Sequence, residues 1–273
     1  MDRDFVEREY NNRALVPQHP EFFARWERDS AYVRATLPGR LDLAYGPDAR
    51  HRLDVFPARA SRGTLVFIHG GYWRSLDKDL FSWIAAPFVA AGIGVVLPRY
   101  RFVPSVSIGD VANDAIDAVN WVFEHGRAHG LALDRVVLSG WSAGGHLAAS
   151  VFAAPRERLA FDPARIAGGI AMSGVFDFEP LRHFSYNDEF KLDPAAVARL
   201  DLAGKPRTIG APLVVAAGAG ESSEFRRQSR VLAQAWHPQA RPPMLLPGVH
   251  HFGIVDAFAE RGQPLHQAAL SFF

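Results

Sequence analysis

The sequence predicts an α/β fold: a mostly parallel central sheet of about eight strands with helices on both faces. Three observations lead there. Thr64-Leu65-Val66-Phe67-Ile68 is apolar at nearly every position, as a strand covered on both sides must be. Runs of that kind alternate with stretches of helical spacing, such as Val111, Ala115, Val119 and Val122. A chain of 273 residues that is 48% hydrophobic and 22% charged can bury one large core as a single unit.

The elements follow in order. Two strands near Leu41–Tyr45 and Leu53–Phe56 flank the turn Gly46-Pro47-Asp48, an antiparallel start. The strand Thr64–Ile68 comes next. The uncharged stretch Leu80 to Pro98 has nearly the length of a membrane span, but Pro87, Gly92 and Gly94 interrupt it. It reads as a buried helix around Phe81–Ala86, a turn, and a strand at Ile93–Leu97. A helix over Ile108–His125, a strand at Arg135–Ser139 and a helix from Ala143 follow. Ile166–Ser173, Leu213–Ala217 and Met244–Leu246 supply three more strands, with a helix Glu224–Trp236 between the last two and a final helix from Ile254 to the end. The whole of 1–273 is expected to be one domain. Residues 1–40, helical and rich in aromatics, and an irregular insertion at 178–210 stand outside the alternation. Both are placed to cover the carboxyl edge of the sheet, where such sheets bind ligands, or to pad the core.

Composition removes several classes of function. Thirty Lys+Arg balance 29 Asp+Glu with no basic block, which argues against a nucleic-acid partner. With no cysteine there is no disulfide, thiolate metal site or cysteine nucleophile. No His-Glu-x-x-His, Walker loop or dinucleotide fingerprint is present, so no metal or cofactor is expected. The charged start Met1-Asp2-Arg3-Asp4 lacks an apolar signal region. A cytoplasmic protein with a small-molecule substrate and no membrane partner is expected, with room for a homodimer.

Two motifs carry chemistry. Gly140-Trp141-Ser142-Ala143-Gly144 fits the Gly-x-Ser-x-Gly elbow, directly after one strand and opening a helix. Small flanking residues let the chain turn sharply, and the helix N-terminus favours developing negative charge at Ser142. His69-Gly70-Gly71-Tyr72-Trp73 follows the strand Thr64–Ile68. Its glycines leave backbone N–H groups uncovered, so Gly71 and Tyr72, with Ala143 across the gap, are candidate oxyanion donors. His69 is expected to brace this loop, and Trp73 to pack rather than touch substrate. Gly70 and Trp141 complete the candidate pocket set.

A serine nucleophile needs a base and the base an orienting acid, in the order Ser, acid, His for this arrangement. His250 and His251 fall between the last strand and the final helix. His251 is the expected base and His250 the alternative. His146 is expected to face sheet or solvent as a bystander. For the acid, Glu221 sits just past the strand Leu213–Ala217, with Glu224 and Asp177 as alternatives.

With these residues in view, the chain resembles the α/β-hydrolase superfamily, and within it the arylformamidase (kynurenine formamidase) group related to hormone-sensitive-lipase-type esterases. The resemblance rests on His69-Gly70-Gly71-Tyr72-Trp73, on Gly140-Trp141-Ser142-Ala143-Gly144-Gly145-His146, on Glu221-Ser222-Ser223-Glu224-Phe225 with Gln228-Ser229, and on His251-Phe252. It implies the triad Ser142, Glu221, His251 and hydrolysis of an aryl formamide such as N-formylkynurenine, in tryptophan breakdown. The group usually has Asp where this chain has Glu221. General small-acyl carboxylesterases share the scaffold, and a ligand-binding protein without turnover is the alternative from another class.

Overall fold

The computed structural model describes residues 1–273. Eight strands run in chain order as β1 (Arg40–Ala44), β2 (Arg52–Phe56), β3 (Thr64–Ile68), β4 (Gly94–Pro98), β5 (Val136–Trp141), β6 (Ile166–Met172), β7 (Leu213–Gly218) and β8 (Met244–Leu246). They form one sheet in the order β1-β2-β4-β3-β5-β6-β7-β8. β2 pairs antiparallel with both β1 and β4, and every other pairing is parallel. The strand directions match the expected antiparallel start and parallel continuation.

The central strands β3, β4 and β5 are buried at every position. Alternate residues feed two separate cores, as a period of two requires. Leu65, Phe67, Val95, Leu97 and Val137 join one, with Trp26, Phe81 and Phe258. Val66, Ile68, Val96 and Leu138 join the other, with Val119 and Leu147. Truncating one such side chain, as in Phe67→Ala, costs about 3–5 kcal/mol.

Helices over Ile108–His125 and Ala143–Phe152 cover one face. The first opens on a capping box, in which the Ser107 side chain accepts from Asp110 N and the Asp110 side chain from Ser107 N. Residues 80–98 resolve into helix, turn and strand. A 3₁₀ segment Lys78–Ile84 runs into the helix Ala85–Ala90, Gly92 turns the chain at φ +78°, and β4 follows. No helix is long and apolar enough to cross a membrane.

Two expectations need correction. The final helix is two helices, Gly253–Ala259 and Pro264–Leu270. Pro264 has no N–H to continue a helix but suits the first position of a new one. The insertion at 178–210 is not irregular: it contains the helical segments Glu179–His183, Asn187–Phe190 and Pro194–Leu200.

The first forty residues form helices at Arg3–Tyr10, Asn12–Leu15 and His19–Thr36 that lie against the sheet's carboxyl edge. Trp26 is fully buried, 5.4 Å from Phe81 and 5.7 Å from Trp141 between ring centroids, and its Nε1 donates to Asp256 at 3.0 Å. Tyr10 is fully buried as well. Its hydroxyl donates to Glu224 at 2.8 Å and accepts from Gln228 Nε2 at 2.8 Å. An ionic cluster ties this segment to β2. Lys78 Nζ lies 2.9 Å from Asp54, 2.9 Å from Asp42 and 2.6 Å from Asp79, and Arg34 also binds Asp54.

Candidate active site

The elbow forms because β5 must reverse into a helix within one residue. Ser142 takes that position at φ 56°, ψ −122°, a region that costs an L-residue roughly 1–3 kcal/mol. The helix Ala143–Phe152 begins at the next residue and packs so near β3 that a Cβ on Gly144 would lie 2.0 Å from the Ile68 carbonyl oxygen. Ser142 N donates to Met172 O at 2.8 Å, fixing the turn to β6.

From this turn a chain of hydrogen bonds runs across three loops. Ser142 Oγ lies 3.1 Å from His251 Nε2, and His251 Nδ1 lies 2.7 Å from Glu221 Oε2. A carboxylate can only accept, so Nδ1 carries the proton, and Nε2 is left with its lone pair toward the serine hydroxyl. All three residues are buried. The imidazole is held by Phe225, 4.6 Å away, and by Trp141, whose Nε1 donates to the His251 carbonyl at 2.8 Å. Glu221 begins in a tight turn beyond β7, where its N–H donates to Gly218 O at 3.2 Å. Its Oε1 accepts from Gly218 N and from Ser173 Oγ, each at 2.6 Å.

The alternatives are occupied elsewhere. Glu224 binds Tyr10 and Arg227, and Asp177 binds Arg227. His250 Nδ1 accepts from the backbone N–H groups of Phe252 and Gly253, and its ring packs edge-on to Phe22. The two adjacent histidines therefore point apart. Phe252 is buried beside His251 at the start of the helix Gly253–Ala259.

The loop after β3 turns through a run of positive φ angles: Gly71 at +117°, Tyr72 at +51° and Trp73 at +57°. A Cβ on Gly71 would lie 2.1 Å from Ser75 O, so only glycine fits there. The N–H groups of Gly71 and Tyr72 donate to no protein acceptor. That of Ala143, the first helical residue, has none within its helix. Gly71, Tyr72, Ser142 and His251 line one cleft, with Trp141, Phe184 and Tyr186 around them.

The remaining candidates lie behind the loop rather than in the cleft. His69 Nδ1 is 2.7 Å from Gly70 O, and its ring stacks on Tyr100 at 4.3 Å. Burial lowers its pKa to about 4. The Tyr100 hydroxyl sits 3.0 Å from His69 O and 3.1 Å from Gly70 O, bracing the same loop. Trp73 is fully buried against Phe178, Phe190 and His146. His146 faces neither sheet nor solvent: it is buried beneath the insertion, 4.8 Å from Phe178, and burial lowers its pKa to about 3. Helical spacing within Ala143–Phe152 does not reveal that the 178–210 segment covers this histidine.

Two further residues carry no motif. Ser173 and Tyr100 are single polar residues near strand ends, made significant only by the neighbours the sheet brings to them. The carboxylate cluster Asp42, Asp54 and Asp79 has oxygens close enough to hold a cation, and the Lys78 ammonium already sits among them.

An eight-stranded sheet of this order, with a strained serine at the turn beyond its central strand, defines an α/β hydrolase. A family model described as the alpha/beta hydrolase fold matches residues 65–207, and the chain belongs to that family. The protein is a hydrolase. It is similar to a kynurenine formamidase of Salmo salar, 26% identical over 84% of this chain and 80% of that one. It is similar in structure to a provisionally assigned thioesterase of Silicibacter sp. TM1040, 30% identical with a TM-score of 0.86 over 95% of this chain and 97% of that one. Esterase B of Lactobacillus rhamnosis shares the fold at 21% identity, with a TM-score of 0.72 over 95% of this chain and 96% of that one.

Proposed function

We propose that the protein is a metal-independent serine hydrolase that removes a small acyl group from an aryl amine, with an aryl formamide such as N-formylkynurenine as its substrate class. The observation that carries this reading is the aligned chain Ser142–His251–Glu221, at 3.1 and 2.7 Å.

The chemistry follows from that geometry. Ser142 Oγ attacks the formyl carbon while its proton passes to His251 Nε2. The carbonyl oxygen becomes an oxyanion held by the N–H groups of Gly71, Tyr72 and Ala143, groups that pay no reorganisation when charge develops. Glu221 stabilises the imidazolium and keeps its ring in place without taking the proton. The tetrahedral intermediate collapses, Nε2 delivers its proton to the leaving nitrogen, and the amine departs. Water, deprotonated by the same nitrogen, then attacks the formyl–serine ester. Formate leaves and Ser142 regains its hydrogen.

Ser142 opens into a cleft walled by Tyr72, Trp141, Phe184 and Tyr186, apolar rings that suit an aryl leaving group. The similarity to kynurenine formamidases favours the amide substrate, and the structural likeness to the Silicibacter protein favours the second reading, a small-acyl carboxylesterase or thioesterase. Turnover of N-formylkynurenine and p-nitrophenyl acetate by the same preparation decides between them. The formamide is expected to give the higher kcat/KM, by about tenfold or more, a transition-state difference of about 1.4 kcal/mol. The reverse order would assign an esterase. Cytoplasmic residence belongs to the same proposal, and fractionation of cells expressing the chain tests it.

A further inference from the structure

The cleft around Ser142 has a charge pattern that the acyl-transfer chemistry does not use. Two arginines, Arg13 and Arg74, line it, and no carboxylate does. Arg74 is already committed. Its Nε and Nη2 donate to Glu189 at 2.7 and 2.5 Å, and its guanidinium lies 4.5 Å over the Tyr186 ring.

Arg13 is different. It is exposed, lies 5.7 Å over the Phe23 ring, and has no carboxylate within ion-pair distance. Its neighbour Asn12 is 5% exposed, and the Asn12 Nδ2 is buried with no acceptor. A buried donor without a partner is costly, and native proteins seldom leave one unless something else fills it. Both residues belong to the short helix Asn12–Leu15, which the N-terminal segment lays across the cleft. The segment is fixed there: Tyr72, in the oxyanion loop, donates through its hydroxyl to Tyr10 O at 2.6 Å.

We propose that Asn12 and Arg13 form a subsite for a carboxylate on the leaving group, so that the preferred substrates are anionic aryl formamides or esters. An uncommitted guanidinium and an orphan amide N–H, on two residues that both line a cleft without acids, are donors only. The ligand they lack is an acceptor bearing negative charge. Aromatic walls from Phe23, Phe184 and Tyr186 seat the ring that carries it. The N-terminal segment is thereby a specificity element of the site, not padding. This inference rests on the serine-hydrolase reading only for where the leaving group lies.

The test pairs two substrates of one shape, para-formamidobenzoate and para-formamidobenzamide, which differ in charge alone. The wild-type enzyme is expected to prefer the carboxylate by about tenfold or more in kcat/KM, chiefly through KM. Arg13→Gln, an exposed change that leaves the fold alone, and the isosteric Asn12→Asp should each cost several-fold more on the benzoate than on the benzamide. The Arg13-dependent preference should shrink as salt rises, because an exposed charge is screened. Equal rates on both compounds, or equal losses on both in the variants, would overturn the subsite. Calorimetric binding of para-aminobenzoate and para-aminobenzamide to the full chain separates the two claims. Selective binding of the anion without turnover would remove the hydrolase reading and keep the subsite, whereas turnover without selectivity does the opposite.

Discussion

The Ser173 hydroxyl donates to Glu221 Oε1 at 2.6 Å, while the other carboxylate oxygen, Oε2, takes the His251 Nδ1 proton at 2.7 Å. The acid is thus held at both oxygens. Ser173, itself at φ 49°, sets the direction in which Glu221 meets the imidazole.

Ser173 is therefore a positioning residue. Ser173→Ala is expected to lower kcat several-fold with little change in KM, because ground-state binding does not involve it. Glu221→Gln should cost far more, on the order of a thousand-fold or greater, since an amide can present an N–H to the imidazole and favour the wrong tautomer. Steady-state kinetics of the two variants on one ester check this. Equal losses would show that Ser173 acts on the acid in some other way.

His251→Ala is expected to abolish turnover, and His250→Ala to keep most of it. The His250 ring serves the backbone of Phe252 and Gly253 instead. Its loss should appear as a stability decrease of about 1 kcal/mol, the usual net value of a hydrogen bond, in urea unfolding at unchanged kcat. A dead His250→Ala enzyme beside an active His251→Ala enzyme would reverse the assignment.

Much of this was legible in the chain because the signals are local and physical. Thr64–Ile68 announces a doubly covered strand, and Gly140–Gly144 can turn sharply because its flanking residues are small. His251-Phe252 is legible through the resemblance to the formamidase group, and in the fold Phe252 is buried at the helix start while His251 Nε2 lies 3.1 Å from Ser142 Oγ. What escaped is non-local. Asn12 carries no motif, and its meaning depends on how the first helices lie across the far end of the sheet. Ser173 matters only because β6 and β7 are neighbours. The break in the last helix was available in Pro264, and helical periodicity on either side concealed it.

Lys78 is the stability test. Its side chain is fully buried among three carboxylates, of which Asp54 is also fully buried. Lys78→Met should destabilise the fold by about 3 kcal/mol or more, because it leaves buried negative charge with only Arg34 to answer it. The midpoint of urea unfolding measures this. A neutral effect would mean that Arg34 and solvent compensate fully.

Acid should weaken the fold through two buried histidines. Burial lowers His69 to about 4 and His146 to about 3. An unfolded chain takes up these protons near pH 6.5, so below that point the unfolded state binds more protons than the folded one. Stability therefore falls as pH drops from about 6.5 toward those values, by roughly 1.4 kcal/mol per pH unit for each histidine. His146→Phe should remove about one proton's worth of that slope between pH 6 and 5, as read from urea unfolding at the two pH values. An unchanged slope would show that His146 is already protonated in the fold.

The central claim is that Ser142 is the nucleophile, activated by His251. The direct measurement is intact-mass and peptide mapping of the protein after reaction with a fluorophosphonate, alongside kcat for Ser142→Ala. One adduct per chain on Ser142 is expected, abolished in Ser142→Ala and nearly abolished in His251→Ala. Turnover in Ser142→Ala should fall on the order of a million-fold while the fold persists. An adduct on another residue, or an active Ser142→Ala enzyme that the reagent does not touch, would contradict the account.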